Sequence, residues 1–205
     1  MEIEQKRSRG RPRSFDRDSA LHTALLLFWQ HGYEGASIAQ LSAAMAVNAP
    51  SLYAAFGSKE QLYREALELY AKQYGALLSQ PLMAGGSARE ALRQTLVAAA
   101  RNFSASATPA GCPLASGMLH CASEHQGAAQ ISAAMRLAAQ QAFAQRIEQG
   151  IRAGDVSRDC NVAALAGLFA AVIQGLSVQA IDGASQSQLL AVAEAAMQAW
   201  PPSHD

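Results

Sequence analysis

Apolar residues recur at the three- and four-residue spacing of amphipathic helices through most of this chain. In the first third, this pattern predicts a helix that begins at Asp16 and is stopped by Gly32. Two short helices then follow, capped by Ser37 and Asn48, and Ser58 caps a long helix to about residue 78. No segment alternates apolar and polar residues as a half-buried strand does. The chain is therefore predicted to be all-α.

The later two thirds show the same periodicity in longer segments, separated by clusters of Pro, Gly or Asp. We expect a break over residues 80–86 and a loop over 108–113, because both segments contain Pro and Gly. The predicted helices lie over residues 87–107, 114–123, 128–153, 161–181 and 186–200. The segment 161–181 is strongly apolar, which predicts a helix buried among its neighbours.

Half of the 205 residues are hydrophobic but only 6% are aromatic, so the apolar content consists mostly of residues that favour helices. The 16 basic and 16 acidic residues balance over the chain as a whole, but they are unevenly placed. Basic residues cluster over 6–13 without an acidic one, whereas acidic residues are in excess after Arg64. A cationic end on a mildly acidic body suits a protein that contacts a polyanion at one end only.

Three cysteines, Cys112, Cys121 and Cys160, form an odd set without a CxxC pair, so a secreted disulfide framework is not expected. The longest apolar stretch, over 162–178, contains Gln174 and is too short for a membrane span by its sequence. The basic N-terminus lacks the apolar core of a signal peptide. The sequence therefore predicts a cytoplasmic protein, with no metal and no cofactor.

The two short helices and the compact turn over 46–48 have the spacing of a helix-turn-helix, which places its second helix in the major groove of DNA. That helix carries Ser51 and Tyr53, whose hydroxyls suit phosphate oxygens. Lys59 begins the next helix, where backbone amides and a cation together favour phosphate. Each residue alone is also compatible with an ordinary solvated surface. Their order and spacing together indicate DNA binding.

The first third carries the sequences GYEGASIAQL at residues 32–41, AVN at 46–48 and SLYAAFGSKEQL at 51–62. These motifs, within residues 16–69, resemble the TetR family of bacterial transcriptional regulators. The resemblance implies an N-terminal three-helix DNA-binding domain followed by a helical ligand-binding and dimerisation domain. It also implies phosphate contacts by Ser37, Ser51, Tyr53 and Lys59. We expect a disordered basic arm over 1–14, a helix-turn-helix domain over 15–60 and an effector-binding and dimerisation domain over 61–205.

By the same resemblance, the expected function is that of a ligand-responsive repressor. It would bind double-stranded operator DNA as a homodimer and be released by a small, mostly apolar effector. The residues themselves do not distinguish repressor from activator, because the position of the operator decides it. One alternative is a DNA-binding protein without a small-molecule switch. Another is a small thiol-dependent enzyme that uses Cys112, which is disfavoured because phosphate loops and a nucleophile elbow are absent from the sequence.

The predicted recognition helix is poor in long polar side chains. Asn48, Ala49 and Pro50 begin it, and alanine methyls can pack on thymine methyls but cannot hydrogen-bond base edges. Base reading is therefore expected to use Asn48, DNA shape and the arm. The arm sequence RGRPR at residues 9–13 resembles AT-hook segments, which predicts minor-groove or phosphate contacts by Arg11 and Arg13. The alternative is a solvated tail that raises affinity for any DNA.

Small residues mark a candidate dimer interface near the C-terminus. Gly167, Ala171 and Gly175 recur every four residues in the apolar helix, so another helix can approach closely. The last helix is the expected second contributor. The predicted interface residues are Gly167, Ala171, Gly175, Val178, Leu190 and Met197. The alternative is packing within a single chain.

Methionine and aromatic residues in the effector half indicate a ligand cavity. The candidate lining residues are Phe103, Cys112, Met118, Leu119, Met135, Phe143 and Phe169. Such residues also occur in ordinary cores, and this alternative stays open. Charged residues are sparse here, and the candidate polar anchors are Arg101, His120, Glu124, His125 and Arg136. A mostly apolar effector is therefore expected.

Cys112 precedes Pro113 at the start of a predicted helix. That position can lower the pKa of a thiol and make its thiolate reactive, which leads to the alternative of a redox or electrophile sensor. His120 and His125 flank Cys121, but their spacing matches no established metal-site pattern. A buried, unreactive cysteine is the favoured interpretation.

Overall fold

The computed structural model of this protein describes residues 16–201, and within them the chain is helical and has no strand. The predicted all-α fold is confirmed. The α-helices of this part are α1 Arg17–Gly35, α2 Ile38–Ala44, α3 Ala49–Phe56, α4 Lys59–Tyr70, α5 Ala76–Met83, α6 Ala88–Phe103, α7 Pro113–Ser116, α8 Gln126–Ala153, α9 Val162–Ile181 and α10 Gln186–Ala196. A π-turn, Ala71–Gly75, joins α4 to α5, and 3₁₀ turns cover Ser123–His125 and Met197–Ala199.

Polar caps explain where the first helices begin. Asp16 caps α1, and Asn48 caps α3 by accepting a hydrogen bond from the backbone N–H of Ser51. Ser37 and Gln40 form a complete capping box at the start of α2, in which each side chain bonds the other residue's backbone N–H. The starts predicted for these helices are confirmed, because a cap depends on residues close together in sequence.

Gly32 was predicted to end α1, but it interrupts the helix without ending it. Its φ of +70° lies in the left-handed region, which glycine adopts without steric cost, and one further helical turn ends at Gly35. In the effector half, α6 ends at Phe103 rather than near residue 107. The Ser104 hydroxyl donates to the carbonyl of Ala100 at 2.8 Å, a bond that competes with helix continuation.

The helix predicted over 114–123 is wrong for most of its length. α7 covers only Pro113–Ser116, and a loop leads from it to the 3₁₀ turn before α8. The chain leaves the helix at Gly117, whose ψ of 135° is extended, and the φ of +52° at Met118 is also incompatible with a right-handed helix. α8 begins two residues earlier than predicted, at Gln126.

α4, the π-turn and α5 form one helical rod over residues 59–83. The rod crosses the domain boundary predicted at residue 60. It also continues past residue 78 to Met83 and includes Pro81, which has no N–H to donate to the preceding turn and lies two residues before the end of α5. α4 packs on α1, whereas α5 packs on α6. The rod therefore links the two halves of the molecule.

Two hydrophobic cores lie along the described chain. The first joins α1–α4 to the adjacent part of the effector half and includes Phe28, Leu67 and Phe103. The second lies further along the effector half, around Phe143 and Phe169. Because Phe103 and Phe28 share one core, the DNA-binding half packs directly against the effector half.

α9 contributes to both cores, with Phe169 in the second and Leu176 in the first. By length and composition alone, α9 is the one described helix that could cross a membrane. From the sequence, its apolar stretch was predicted to be too short for a membrane span. Its packing against α6, α8 and α10 accounts for its apolar character within the fold.

Candidate DNA-binding surface and effector cavity

The turn between α2 and α3 is tight and held by backbone bonds. Ala46 adopts a left-handed φ of +54°, and the N–H of Val47 donates to the carbonyl of Ser42 at 3.0 Å. Leu41 on α2 and Leu52 on α3 are fully buried. The core therefore fixes both helices by one face each, which is the arrangement that a helix-turn-helix requires.

α3 presents an uncharged outer face. Its exposed residues are Pro50, Tyr53 and Ala54 together with its cap Asn48, and its half-buried ones include Ala49 and Ser51. The Oδ1 atom of Asn48 accepts the N–H of Ser51 at 2.8 Å, so this oxygen is committed to the cap. The structure leaves every α3 residue predicted to contact DNA at least partly accessible.

Ser37 is exposed at the start of α2. Its hydroxyl accepts the N–H of Gln40 at 3.2 Å and donates to the Gln40 side-chain oxygen at 2.7 Å. The capping box therefore holds the hydroxyl at a helix N-terminus, where backbone N–H groups favour a nearby phosphate.

Lys59 begins α4 and is held by an aromatic ring. Its Nζ atom lies 4.3 Å from the centroid of the Tyr33 ring, within range of a cation–π interaction. Burial lowers the pKa of Lys59, and the nearby Glu34 carboxylate opposes that effect. The ring fixes an ammonium group that would otherwise move freely beside the reading helix.

Arg17 is a cation beside the end of α3 that was not predicted from the sequence, and the protein itself binds its guanidinium group. It forms an ion pair with Glu65 at 2.7 Å, donates to the carbonyl of Ala55 at the end of α3, and lies 4.4 Å from the Phe56 ring centroid. The only signal in the sequence is a basic residue directly after the Asp16 cap. The predicted arm contacts Arg11 and Arg13 lie outside the described residues.

A cavity of about 330 Å³ lies in the effector half, between the α4–α5 rod and the helices α6 to α9. Of the predicted lining residues, Cys112, Met135 and Phe143 lie on its wall. The other four do not, which corrects the prediction. Phe103 and Phe169 are completely buried in the two cores. Met118 and Leu119 lie in the loop after α7, and Leu119 is 58% exposed.

The sequence reasoning missed the wall that the rod contributes, including Tyr70, Gly75, Leu78 and Leu82. These residues are ordinary in sequence, and they become a wall only because the rod packs across α8. From the sequence, Arg136 was predicted only as one of five candidate polar anchors for an effector. It lines the cavity, and its Nη1 atom donates to the carbonyls of Leu114 and Gly117 at 3.1 and 2.7 Å.

Cys112 caps α7, but it is not the activated thiol that its position suggested. Burial raises the pKa of Cys112, and smaller opposing effects come from the Tyr70 hydroxyl and the amides of Ala115 and Leu114. The lowered pKa of the sensor alternative is not found, because α7 has only one turn and a weak dipole, whereas desolvation of a buried thiolate is costly. The burial agrees with the favoured interpretation of an unreactive cysteine.

A polar contact joins the end of α1 to the start of α8. Glu34 Oε1 accepts the backbone N–H of Ala122 at 2.9 Å and lies 2.9 Å from Nδ1 of His125. These three residues are called the interdomain joint below. Beside it, the hydroxyls of Tyr63 and Ser132 form a buried hydrogen bond of 2.9 Å between α4 and α8. The hydrogen bonds from His125 and Ala122 lower the pKa of Glu34.

α9 carries an exposed apolar face, which includes Leu168, Ala171 and Val178. A side chain added at Gly175 would meet no neighbour within 4 Å, so this position opens outward. Gly167 lies at the edge of this face. A Cβ atom added at Gly167 would lie 3.6 Å from the side-chain amide nitrogen of Gln140.

In α10 and the turn after it, the two predicted interface residues lie differently. Leu190 is half-buried. Met197 is 2% exposed and packs in the second core of its own chain, which corrects its assignment to the dimer interface. Residue type alone did not distinguish the inner face of this segment from its outer face.

A helix-turn-helix whose reading helix is exposed, fused through a rigid helical rod to a cavity-bearing helical body, defines a DNA-binding transcriptional regulator. Residues 20–66 match the model of bacterial regulatory proteins of the tetR family, and residues 86–199 match that of the tetracyclin repressor-like C-terminal domain. The chain belongs to the TetR family of transcriptional regulators.

The similarity to known members extends over nearly the whole chain. It is 36% identical to the HTH-type transcriptional repressor ComR of Escherichia coli (strain K12), over 96% of this chain and 94% of that protein. It is 33% identical to the repressor BdcR of the same organism, over 95% and 94%. A cysteine mutant of the TetR family regulator CifR, complexed with 26-base-pair operator DNA, superposes with a TM-score of 0.90, 43% identity and coverage of 94% and 100%.

Proposed function

We propose that this protein is a cytoplasmic, non-enzymatic repressor that binds operator DNA as a homodimer and is released when a small, mostly apolar effector enters the cavity. The observation that carries this proposal is the rod over residues 59–83. One end of the rod packs on the DNA-binding half with its helix-turn-helix (α1 to α3, called the reading head or head below), and the other end forms part of the cavity wall. ComR and BdcR are both repressors, and CifR binds operator DNA.

On the DNA side, the phosphate contacts are assigned to Ser37, Ser51, Tyr53 and Lys59. The accessible start of α3 with Asn48, Ala49 and Pro50 is assigned to the major groove, where methyl groups can pack on thymine. Arg11 and Arg13 of the arm are assigned to the minor groove or to phosphates. Deleting residues 1–13 is expected to reduce the salt dependence of DNA binding, because fewer counterions are then displaced.

The homodimer interface is assigned to the outer face of α9, with Ala171, Gly175 and Val178 at its centre, Gly167 at its edge and Leu190 of α10 beside it. Exposed apolar side chains on a helix without a neighbour are costly in water, and packing against a second copy removes them from it. A two-fold dimer also sets the distance between the two reading heads, which must match successive turns of the DNA.

Effector control is assigned to the rod and the interdomain joint. The α8 residues Met135 and Phe143 line the cavity, and the start of the same helix contacts the head through His125 and Glu34. A ligand that shifts α8 or the rod therefore changes the position of the head within each protomer, and the two heads lose their spacing.

The test uses an outward residue of the reading helix. Ala54→Glu places a carboxylate on the exposed face of α3, and we expect at least about tenfold weaker binding to a duplex first selected for tight binding to the wild-type protein. Ala153→Glu, at the exposed end of α8, is the matched control. Fluorescence anisotropy measures both, and equal DNA affinity for the two variants would contradict the assignment of α3 to the DNA.

The two other classes are less well supported. A thiol sensor or thiol-dependent enzyme requires a reactive Cys112, whereas burial raises the pKa of this thiol. A DNA-binding protein without a small-molecule switch has no use for a cavity of about 330 Å³ beside the rod.

A further inference from the structure

The cavity wall is mostly apolar and carries a single cation. Leu78, Leu82, Met135 and Phe143 give it an aliphatic and aromatic lining, and Arg136 is the one charged side chain among the described residues that line it. Arg136 takes part in none of the ion pairs of residues 16–201. A cation without a counterion, at the wall of an apolar cavity, is complementary to an anion that carries an apolar body.

The guanidinium group of Arg136 is only partly satisfied by the protein. Nη1 donates to the carbonyls of Leu114 and Gly117, whereas Nε and Nη2 have no hydrogen-bond acceptor in the described part of the chain. Nε and Nη2 form the edge of a guanidinium group that matches the two oxygens of a carboxylate. Two neutral carbonyls therefore hold the group in place, and its best edge for a carboxylate stays available.

The segment that Arg136 holds is conformationally strained. Met118 has a φ of +52°, in the left-handed region that non-glycine residues rarely adopt. At Gly117 an added Cβ would clash with the carbonyl of Pro113 and lie 2.9 Å from the Tyr63 hydroxyl, so the backbone packs directly on α4. The same segment ends at Ala122, whose N–H holds Glu34 of the DNA-binding half.

We propose that the natural effector is an amphipathic anion, with an apolar body in the cavity and a single carboxylate bound to Arg136. This inference rests on the proposed function. The carboxylate binds the available Nε–Nη2 edge and draws the guanidinium group away from the carbonyls of Leu114 and Gly117, and the loss of those two hydrogen bonds releases the strained segment up to Ala122. The hydrogen bond from the Ala122 N–H to Glu34 then weakens, and the DNA-binding half is no longer fixed to the effector half at this point. At the packing density of protein interiors, the cavity has room for on the order of a dozen non-hydrogen atoms.

The first test compares two probes of equal size with the full-length protein at pH 7. 4-Phenylbutanoate and 4-phenylbutanamide each contain twelve non-hydrogen atoms and differ in the charge of the head group. Calorimetric titration is expected to show the carboxylate binding about tenfold more tightly, since a charge-assisted bond to arginine is stronger than a neutral one. An equal or tighter affinity for the amide overturns the inference, and so does the failure of both probes to bind.

The second test removes the cation. Arg136→Met is expected to abolish the preference for the carboxylate and to leave the affinity for the amide within about twofold. Arg152→Met is the matched control, since Arg152 lies on the same helix, is exposed and does not line the cavity. Preference for the carboxylate that survives in Arg136→Met overturns the inference. If thermal melting shows that this variant does not fold, Arg136→Lys, which keeps the charge but not the fork, replaces it and is expected to lose part of the preference.

Release from DNA is measured separately by anisotropy, so the two proposals fail differently. Carboxylate binding that depends on Arg136 but leaves the protein on its operator supports the effector class and contradicts effector-controlled release. Release by uncharged molecules alone supports the proposed function and overturns the effector class.

Discussion

Glu34 Oε1 and His125 Nδ1 lie 2.9 Å apart and join the last turn of α1 to the residue before α8. The ring of His125 also meets the ring of Tyr33 at 5.2 Å, and that second ring carries the Lys59 ammonium group on its face. Only the Tyr33 ring therefore separates His125 of the effector half from Lys59, a proposed phosphate contact.

The first prediction concerns this joint. Glu34→Gln removes the carboxylate that accepts the N–H of Ala122, and we expect faster amide exchange at Ala122 and DNA binding weakened by about two- to fivefold, because exposed ion pairs contribute little. Glu68→Gln, at an exposed position of α4, is the control and should change neither. Exchange at Ala122 equal to that of the wild type would show that Glu34 does not hold this segment.

The same joint has a defined pH dependence. The folded pKa of Glu34 is lowered from its ordinary value of 4.5, first by the bond to His125 and then by the bond to Ala122. A lowered carboxylate pKa stabilises the folded state above the unfolded value, and that contribution is lost as the pH falls through the folded value. The contribution of Glu34 to protection of the Ala122 amide should therefore be complete above about pH 4.5 and decline below it.

The second prediction concerns Lys59. Lys59→Ala should weaken binding to operator and to unrelated duplexes by the same factor, because a phosphate contact carries no sequence information. The slope of log affinity against log salt concentration should fall by about one. Lys72→Ala, an exposed lysine of the π-turn, controls for the loss of charge. A changed sequence preference with unchanged affinity for the best site would contradict the phosphate assignment.

The third prediction concerns the outer face of α9. Gly175→Leu fills a position with no neighbour in the protomer, so the folded monomer should tolerate it. In the dimer the added side chain separates the packed helices, and overpacking of this kind costs about 1–3 kcal/mol. Sedimentation should show dissociation at low concentration together with weaker operator binding. Gly85→Leu, at another open position, should stay dimeric. A fully dimeric Gly175→Leu protein would place the interface elsewhere.

The fourth prediction concerns thiol reactivity. Iodoacetamide should modify half-buried Cys121 before buried Cys112, because burial excludes the reagent and raises the pKa of Cys112. Peptide mapping by mass spectrometry gives the order of modification, and in denaturant the difference should disappear. Fastest modification at Cys112 would restore the sensor interpretation.

The features that the sequence predicted correctly are local. The caps Asp16, Ser37 and Asn48 act on N–H groups within three residues, and the helix-turn-helix follows from the spacing of its own short helices. The helix-turn-helix could therefore be predicted without knowing how residues far away in the sequence pack against it. By contrast, the left-handed φ of Met118 in the loop after α7 is a backbone conformation that no local propensity favours.

The cavity was only partly predictable, because it forms where segments distant in sequence meet. Met135 and Phe143 were found by residue type, but the same reasoning selected Phe169, which fills a core. Leu78 and Leu82 were missed, since their importance depends on how the rod crosses α8. Arg136 stood out in sequence as a rare charge, but its position at an otherwise uncharged wall is visible only in the fold.

The π-turn Ala71–Gly75 sets the angular phase between the two ends of the rod. An α-helix advances about 100° per residue, and a π-turn accommodates one residue more than the α-turn that it replaces. Without that extra residue, a helix that packs Leu67 on the head would turn Leu78 about 100° away from the cavity. The one extra residue of the π-turn thus sets which face of α5 lines the cavity when α4 is packed on the DNA-binding half. The number of residues in the rod is therefore as constrained as the side chains at either end.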